Sequence, residues 1–199
     1  MKSKKWALLV TSLTAMVLLE ACAQSTTTSN TNATTNSATT TATKTNQSSY
    51  FTEKDNDTSY DESTASKIEL SGSSANVFGD GVTVSESTVT ITKSGTYVIS
   101  GQSDGVQIKV EVDKSADVHL VLKGATMTNT NAAISATSAG HVYLTLAEGT
   151  TNSLSDSSSN SDEKADAALF SKVDLTINGK GTLNVDGKKN NGIKANDTL

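Results

Sequence analysis

Residues 118–122 read VHLVL, residues 142–146 read VYLTL and residues 173–177 read VDLTI. In each, apolar residues alternate with other residues: Val118, Leu120, Leu122; Val142, Leu144, Leu146; Val173, Leu175, Ile177. An apolar residue at every second position is the signature of a strand with one face in a core. The step from Val118 to Val142 equals the step from Leu175 to Leu199, a period of about 24 residues. ALFSK at 168–172 returns as GIKAN at 192–196 at the same interval. Only the step from Val142 to Val173 is longer, and its excess falls on the hydrophilic run SDSSSNSDEKAD, 155–166.

A strand pattern that returns in the same chain direction predicts an all-β fold, a right-handed parallel β-helix. Its coils, of about 24 residues each, would stack about 4.8 Å apart. A β-sandwich with coincidental spacing is the rival reading. In the solenoid reading Leu120, Leu144 and Leu175 superpose inside. The pattern breaks off at Leu199 without a cap, so the chain reads as truncated, with further coils expected beyond it.

Working outward, VTVSESTVTITKSGTYVIS (82–100) and VQIKVEV (106–112) alternate as well, and no segment past residue 67 keeps a helical period. The domain is expected at 67–199. Before it, residues 25–49 are Ser, Thr or Asn at 20 of 25 positions, a composition with nothing to bury. Residues 22–66 therefore read as a disordered tether; Tyr50, Phe51 and Tyr60 could dock on the domain, but a solvated acidic linker is the favoured reading. Residues 1–21 have the layout of a signal peptide: Lys2, Lys4 and Lys5, then an apolar run to Leu19 that is short for a membrane span of about 20 residues. The run ends in LEAC, which resembles a bacterial lipobox, although Glu20 departs from the usual small residue. The resemblance implies a diacylglycerol on Cys22, a lipid anchor in the membrane and an extracellular, Gram-positive cell-surface location, with ordinary secretion and cleavage after an Ala as the alternative. Cys22 is the single cysteine, so no intrachain disulfide forms.

The net charge is −5 and all 16 basic residues are Lys. That balance argues against nucleic acid and against an Arg-lined anion site.

The segments LVLKGATMTNTNAAI, LTLAEGTTNSLSD, DAALFSKVDLTINGKGTLNV and NNGIKAND together resemble a secreted carbohydrate-binding β-helix family of Firmicutes. The resemblance covers roughly 67–199. It implies polysaccharide binding (cellulose- or pectin-like), calcium, and a fold similar to that of polysaccharide lyases. Sugar contacts are not carried over from the family; they follow from geometry. Alternation turns His119, Tyr143 and Asp174 outward, and stacking would bring them into one column beside Thr145 and Thr176. Aromatic faces take the apolar faces of sugars and polar groups fix their hydroxyls. The same residues also suit a merely solvated outer face.

Calcium takes six to eight oxygens, and Asp156, Asp162, Glu163 and Asp166 crowd the acidic insert. They are the expected metal ligands; Asp104, Asp113 and Asp117 are the weaker set, and a solvated loop is the plain alternative. For catalysis, lyases of this fold class use an Arg or a Lys base beside calcium. There is no Arg here, and an outward Lys such as Lys109 stays protonated unless buried or beside a cation. Binding is thus favoured over a pectate-lyase-like elimination, with a non-catalytic surface stalk or adhesin as the third reading.

Overall fold

A computed structural model describes residues 51–199. In chain order the elements are α1 (Glu53–Asn56), β1 (Ser66–Gly72), β2 (Ser74–Phe78), β3 (Val82–Ser85), β4 (Thr88–Ile91), β5 (Gly95–Asp104), β6 (Gln107–Glu111) and β7 (Val118–Thr128). They continue with β8 (Ile134–Ser138), β9 (His141–Leu146), β10 (Thr151–Ser155), β11 (Ala167–Ser171), β12 (Asp174–Gly179), β13 (Thr182–Asp186) and β14 (Asn191–Ala195).

The strands form two mixed sheets. One has eight strands, in the order β12-β9-β7-β5-β1-β2, with β10 pairing both β7 and β13. The other has six, in the order β14-β11-β8-β6-β4-β3. Alternation explains the faces. In β6 and β4, Ile108, Val110, Val89 and Ile91 are buried while Lys109 and Thr90 turn outward, because successive side chains leave opposite faces of a strand. The inward residues of both sheets meet in one core that includes Ile68, Ile99, Ile108, Leu120, Ile134, Leu144 and Leu169.

The uniform right-handed parallel β-helix expected from the repeat is not what forms. β1 pairs antiparallel with β2, and β3 with β4, so each sheet ends in a reversed edge strand. The strands are short and their spacing is uneven. Val118 pairs with Val142 and Leu169 with Ile193, both at the interval of the repeat. Ile108 pairs with Ile134 at a longer interval, and Ile134 with Leu169 at one longer still. Connections of different length and register shifts between Ile99 and Gly101 and between Val110 and Glu111 break the period. Gly101 carries a positive φ of +88°, and a Cβ there would strike the carbonyl of Leu70 on the neighbouring strand.

The superposition of Leu120, Leu144 and Leu175 is corrected as well. Leu120 pairs with Leu144, but Leu144 pairs with Ile177, and Leu175 with Val142. The repeat would have set Val173 beside Val142; Leu175, two positions further on, takes that place. A slip of two positions keeps every side chain on its face, so alternation is blind to it.

Residues 51–66, read from sequence as solvated linker, carry α1 and pack on the domain. Cys22, the signal segment and residues 25–49 lie outside the described residues.

Candidate functional site

The outer face of the eight-stranded sheet carries a line of residues in register: Thr96 on β5, His119 on β7, Tyr143 on β9 and Thr176 on β12. Two of the three expected column residues, His119 and Tyr143, are therefore neighbours. Asp174 is not next in line; it pairs with His141, and its carboxylate accepts the backbone N–H of Thr198 at 3.0 Å. The place expected for Asp174 belongs to Thr176, because of the same slip in register.

His141 was missing from the sequence-derived site, although it lies two residues before Tyr143 and so shares its face. Its ring stacks on Tyr143 with centroids 4.1 Å apart and planes 9° from parallel. The hydrogen bonds assign both imidazole tautomers. Thr145 Oγ1 donates to Asn178 Oδ1 at 2.6 Å, so His119 Nε2 must donate to Thr145 Oγ1 across 2.7 Å. Thr176 Oγ1 likewise donates to the Asp55 carboxylate at 2.7 Å, so His141 Nε2 donates to Thr176 Oγ1 at 2.9 Å. In a neutral His119 the bond to Thr145 leaves Nδ1 as the acceptor. Burial lowers the His119 pKa, with Asp57 opposing the shift, which favours the neutral ring.

Residues 52–65 cross this face as a strap. Thr52 and Asp55 form a reciprocal capping box that shapes α1. Asn178 Nδ2 donates to the carbonyls of Asp55 and Asp57 at 3.0 and 3.1 Å. Lys54 pairs with Asp117 and holds its ammonium 4.9 Å from the Tyr143 ring centroid, within cation–π range. Tyr60 meets His119 edge-on at 6.3 Å. Together with Ala65 it also packs on the outward apolar patch of Val98, Val121 and Ala147. Lys123 pairs with Glu62 at 2.7 Å. Tyr143, expected as an exposed platform, is only 9% exposed.

The strap and the sheet flank an open crevice of about 210 Å³, lined by Lys54, Asp57, Ser59, Asp117, His119 and Tyr143 among others.

Strap docking is pH-sensitive through Asp55. The Thr176 hydroxyl, then the hydroxyl and amide of Thr52, lower its pKa from the ordinary 3.8 to about 2. A depressed carboxyl pKa stabilises the docked state fully above the ordinary value and loses that contribution as pH falls through the folded one. The protection factor of the α1 amides, their exchange corrected for its intrinsic pH dependence, is expected to fall between pH 4 and 2 in the wild type. Asp55→Asn should remove the step while leaving that of Asp166, which Lys194 and Asn190 hold at about 2 on the other sheet. A flat wild-type profile at α1 would refute the docking role of Asp55.

The four carboxylates of the acidic insert do not converge. Asp156 is fully buried and accepts the N–H of Lys188 at 2.6 Å and the Asn160 side-chain amide at 3.1 Å. Asp162 closes its own turn by accepting the N–H groups of Lys164 and Ala165, and Glu163 is exposed. Asp166 is engaged by Lys194 at 2.6 Å and Asn190 at 2.7 Å. Of the weaker set, Asp113 accepts from Ser115 and Asp117 from Lys54. Among the described residues no three His, Cys, Asp or Glu side chains form a metal-binding group. As a donor set these four carboxylates do not fit a calcium ion, which needs six to eight converging oxygens.

On the outer face of β9, Tyr143 thus lies among two imidazoles, the hydroxyls that anchor them and the strap. The chain belongs to a family described as carbohydrate-binding domain-containing proteins, whose profile matches residues 85–199. A carbohydrate-binding domain-containing protein of Acetivibrio thermocellus is 40% identical over 126 residues, which cover 60% of this chain and 44% of that protein. Among solved structures, the polysaccharide lyase-like protein from C. thermocellum, a gadolinium derivative, aligns with a TM-score of 0.63 and 38% identity. That alignment covers 66% of this chain and 56% of the solved one. The chain thus spans about half the length of the relatives it matches.

Proposed function

We propose that the protein binds polysaccharide at the cell surface through the outer face of the eight-stranded sheet, around His119 and Tyr143. The observation that supports this reading is the Tyr143 cluster: an aromatic ring beside two imidazoles that the hydroxyls of Thr145 and Thr176 hold in place, next to a crevice in a carbohydrate-binding family member. The proposed ligand is a cellulose-like or, alternatively, a pectin-like chain. Lipidation at Cys22 and a Ser/Thr/Asn-rich spacer complete the proposal, holding the domain outside a Gram-positive membrane.

Retention on insoluble cellulose and on pectin gels tests the reading. Tyr143→Ala is expected to weaken retention at least tenfold, about 1.4 kcal/mol of binding. The ring is buried, so the variant also loses some stability; binding is therefore compared at a temperature where melting curves show both proteins folded. Asp174→Asn, which lies outside the line of Thr96, His119, Tyr143 and Thr176, should bind as wild type does. Equal retention of folded Tyr143→Ala would place the site elsewhere. The same assay with and without a chelator tests calcium support, and ultraviolet-absorbing unsaturated products in the supernatant would favour the lyase reading instead.

A further inference from the structure

We infer that the crevice between residues 54–59 and the sheet is a subsite for the end of a neutral sugar chain, built jointly by the strap and the body of the fold. The inference deepens the binding proposal above and rests on it.

Size points to one ring. At about 210 Å³ the crevice is smaller than the roughly 300–1,000 Å³ of sites that enclose drug-sized ligands. Its two walls come from distant parts of the chain, with Lys54, Asp57 and Ser59 on the strap and Asp117, His119 and Tyr143 on the sheet.

Closure points to a chain end. A glycan laid along the line Thr96, His119, Tyr143, Thr176 would meet Asp55, which is bonded to Thr176 at 2.7 Å. It would also have to break the two bonds from Asn178 to the strap carbonyls. A terminal ring enters the crevice without displacing any of them.

Charge points to a neutral sugar. The crevice holds the Lys54 ammonium and the carboxylates of Asp57 and Asp117, and Lys54 is already committed to Asp117. With His119 neutral, one negative charge is left over, which repels a uronate carboxylate. Sugar hydroxyls, by contrast, donate to carboxylates and to an imidazole acceptor, and ring C–H groups pack on the aromatic edge of Tyr143.

The test measures the affinity of the full chain for cello-oligosaccharides and galacturonate oligomers of two to six units, at low ionic strength. The neutral series is expected to bind, with affinity changing less than about threefold from two units to six, as a one-ring subsite requires. The galacturonate series is expected to bind at least tenfold more weakly. Asp57→Asn keeps the side-chain shape and removes one negative charge; it should narrow the gap between the two series severalfold, which simple loss of folding would not do. Affinity that climbs with each added unit, or tighter binding of galacturonate, overturns the inference. Oligosaccharides that fail to bind while the protein is still held on insoluble cellulose overturn it too and leave the binding proposal standing. Failure on both removes both.

Discussion

Leu144→Asp is expected to abolish cooperative folding of the domain. Leu144 is fully buried on β9 and lies between Leu120 on β7 and Ile177 on β12, all packed in or against one core. Burying a leucine stabilises a fold by about 1.5–3 kcal/mol. A carboxylate in its place has no partner and adds a desolvation cost of several kcal/mol. Against a typical total stability of about 5–15 kcal/mol, the combined loss consumes most or all of it. Circular dichroism should show no sigmoidal melt, where Leu144→Met should melt close to wild type. A Leu144→Asp protein melting within a few degrees of wild type would mean that β9 does not pass through the core.

Asp156→Ala is expected to have the second-largest effect, a loss of about 2–4 kcal/mol read as a fall in the denaturant midpoint. The fully buried carboxylate is the shared acceptor that ties the insert to the turn after β13. Its Oδ1 takes the N–H of Lys188, with a longer contact from Lys189, and its Oδ2 takes the Asn160 amide. Truncation leaves these donors without their charged acceptor, and bonds to charged groups are the costly ones to lose. Asp162→Ala and Glu163→Ala, at exposed positions, should each change stability by less than about 0.5–1 kcal/mol. The contrast is the informative measurement, made in chelator and again in millimolar calcium. Equal losses at all three positions that appear only with calcium would restore the shared metal site.

The docked strap changes how the surface works. Residues 52–65 cover the apolar patch of Val98 and Val121 and turn an open sheet face into a walled crevice.

Strand-forming segments, their in-and-out faces and the pairing of 118–122 with 142–146 were all legible in the sequence. Each depends on local backbone geometry and on water excluding apolar side chains, and both are written in the order of neighbouring residues. The side-by-side placement of His119 and Tyr143 on the outer face was readable for that reason, and that of His141 was readable by the same rule. Asp174 was misplaced because a slip of two positions leaves alternation unchanged; only the contacts of the folded sheet choose between the two registers. The acidic insert misled for a related reason. Four carboxylates close in sequence suggested one ion, yet Asp156 and Asp166 find their partners 32 and 28 residues away, on Lys188 and Lys194. The antiparallel edge strands and uneven spacing lay beyond pattern too, since connection length carries no periodic signal. The strap was the least legible part. Its polar, charged composition matches that of a solvated linker, and what docks it is Thr176, 121 residues from Asp55 in the chain. A bond between residues so far apart is created by the tertiary fold, which alone brings a hydroxyl, an amide and a hydrophobic patch to the places where that segment can use them.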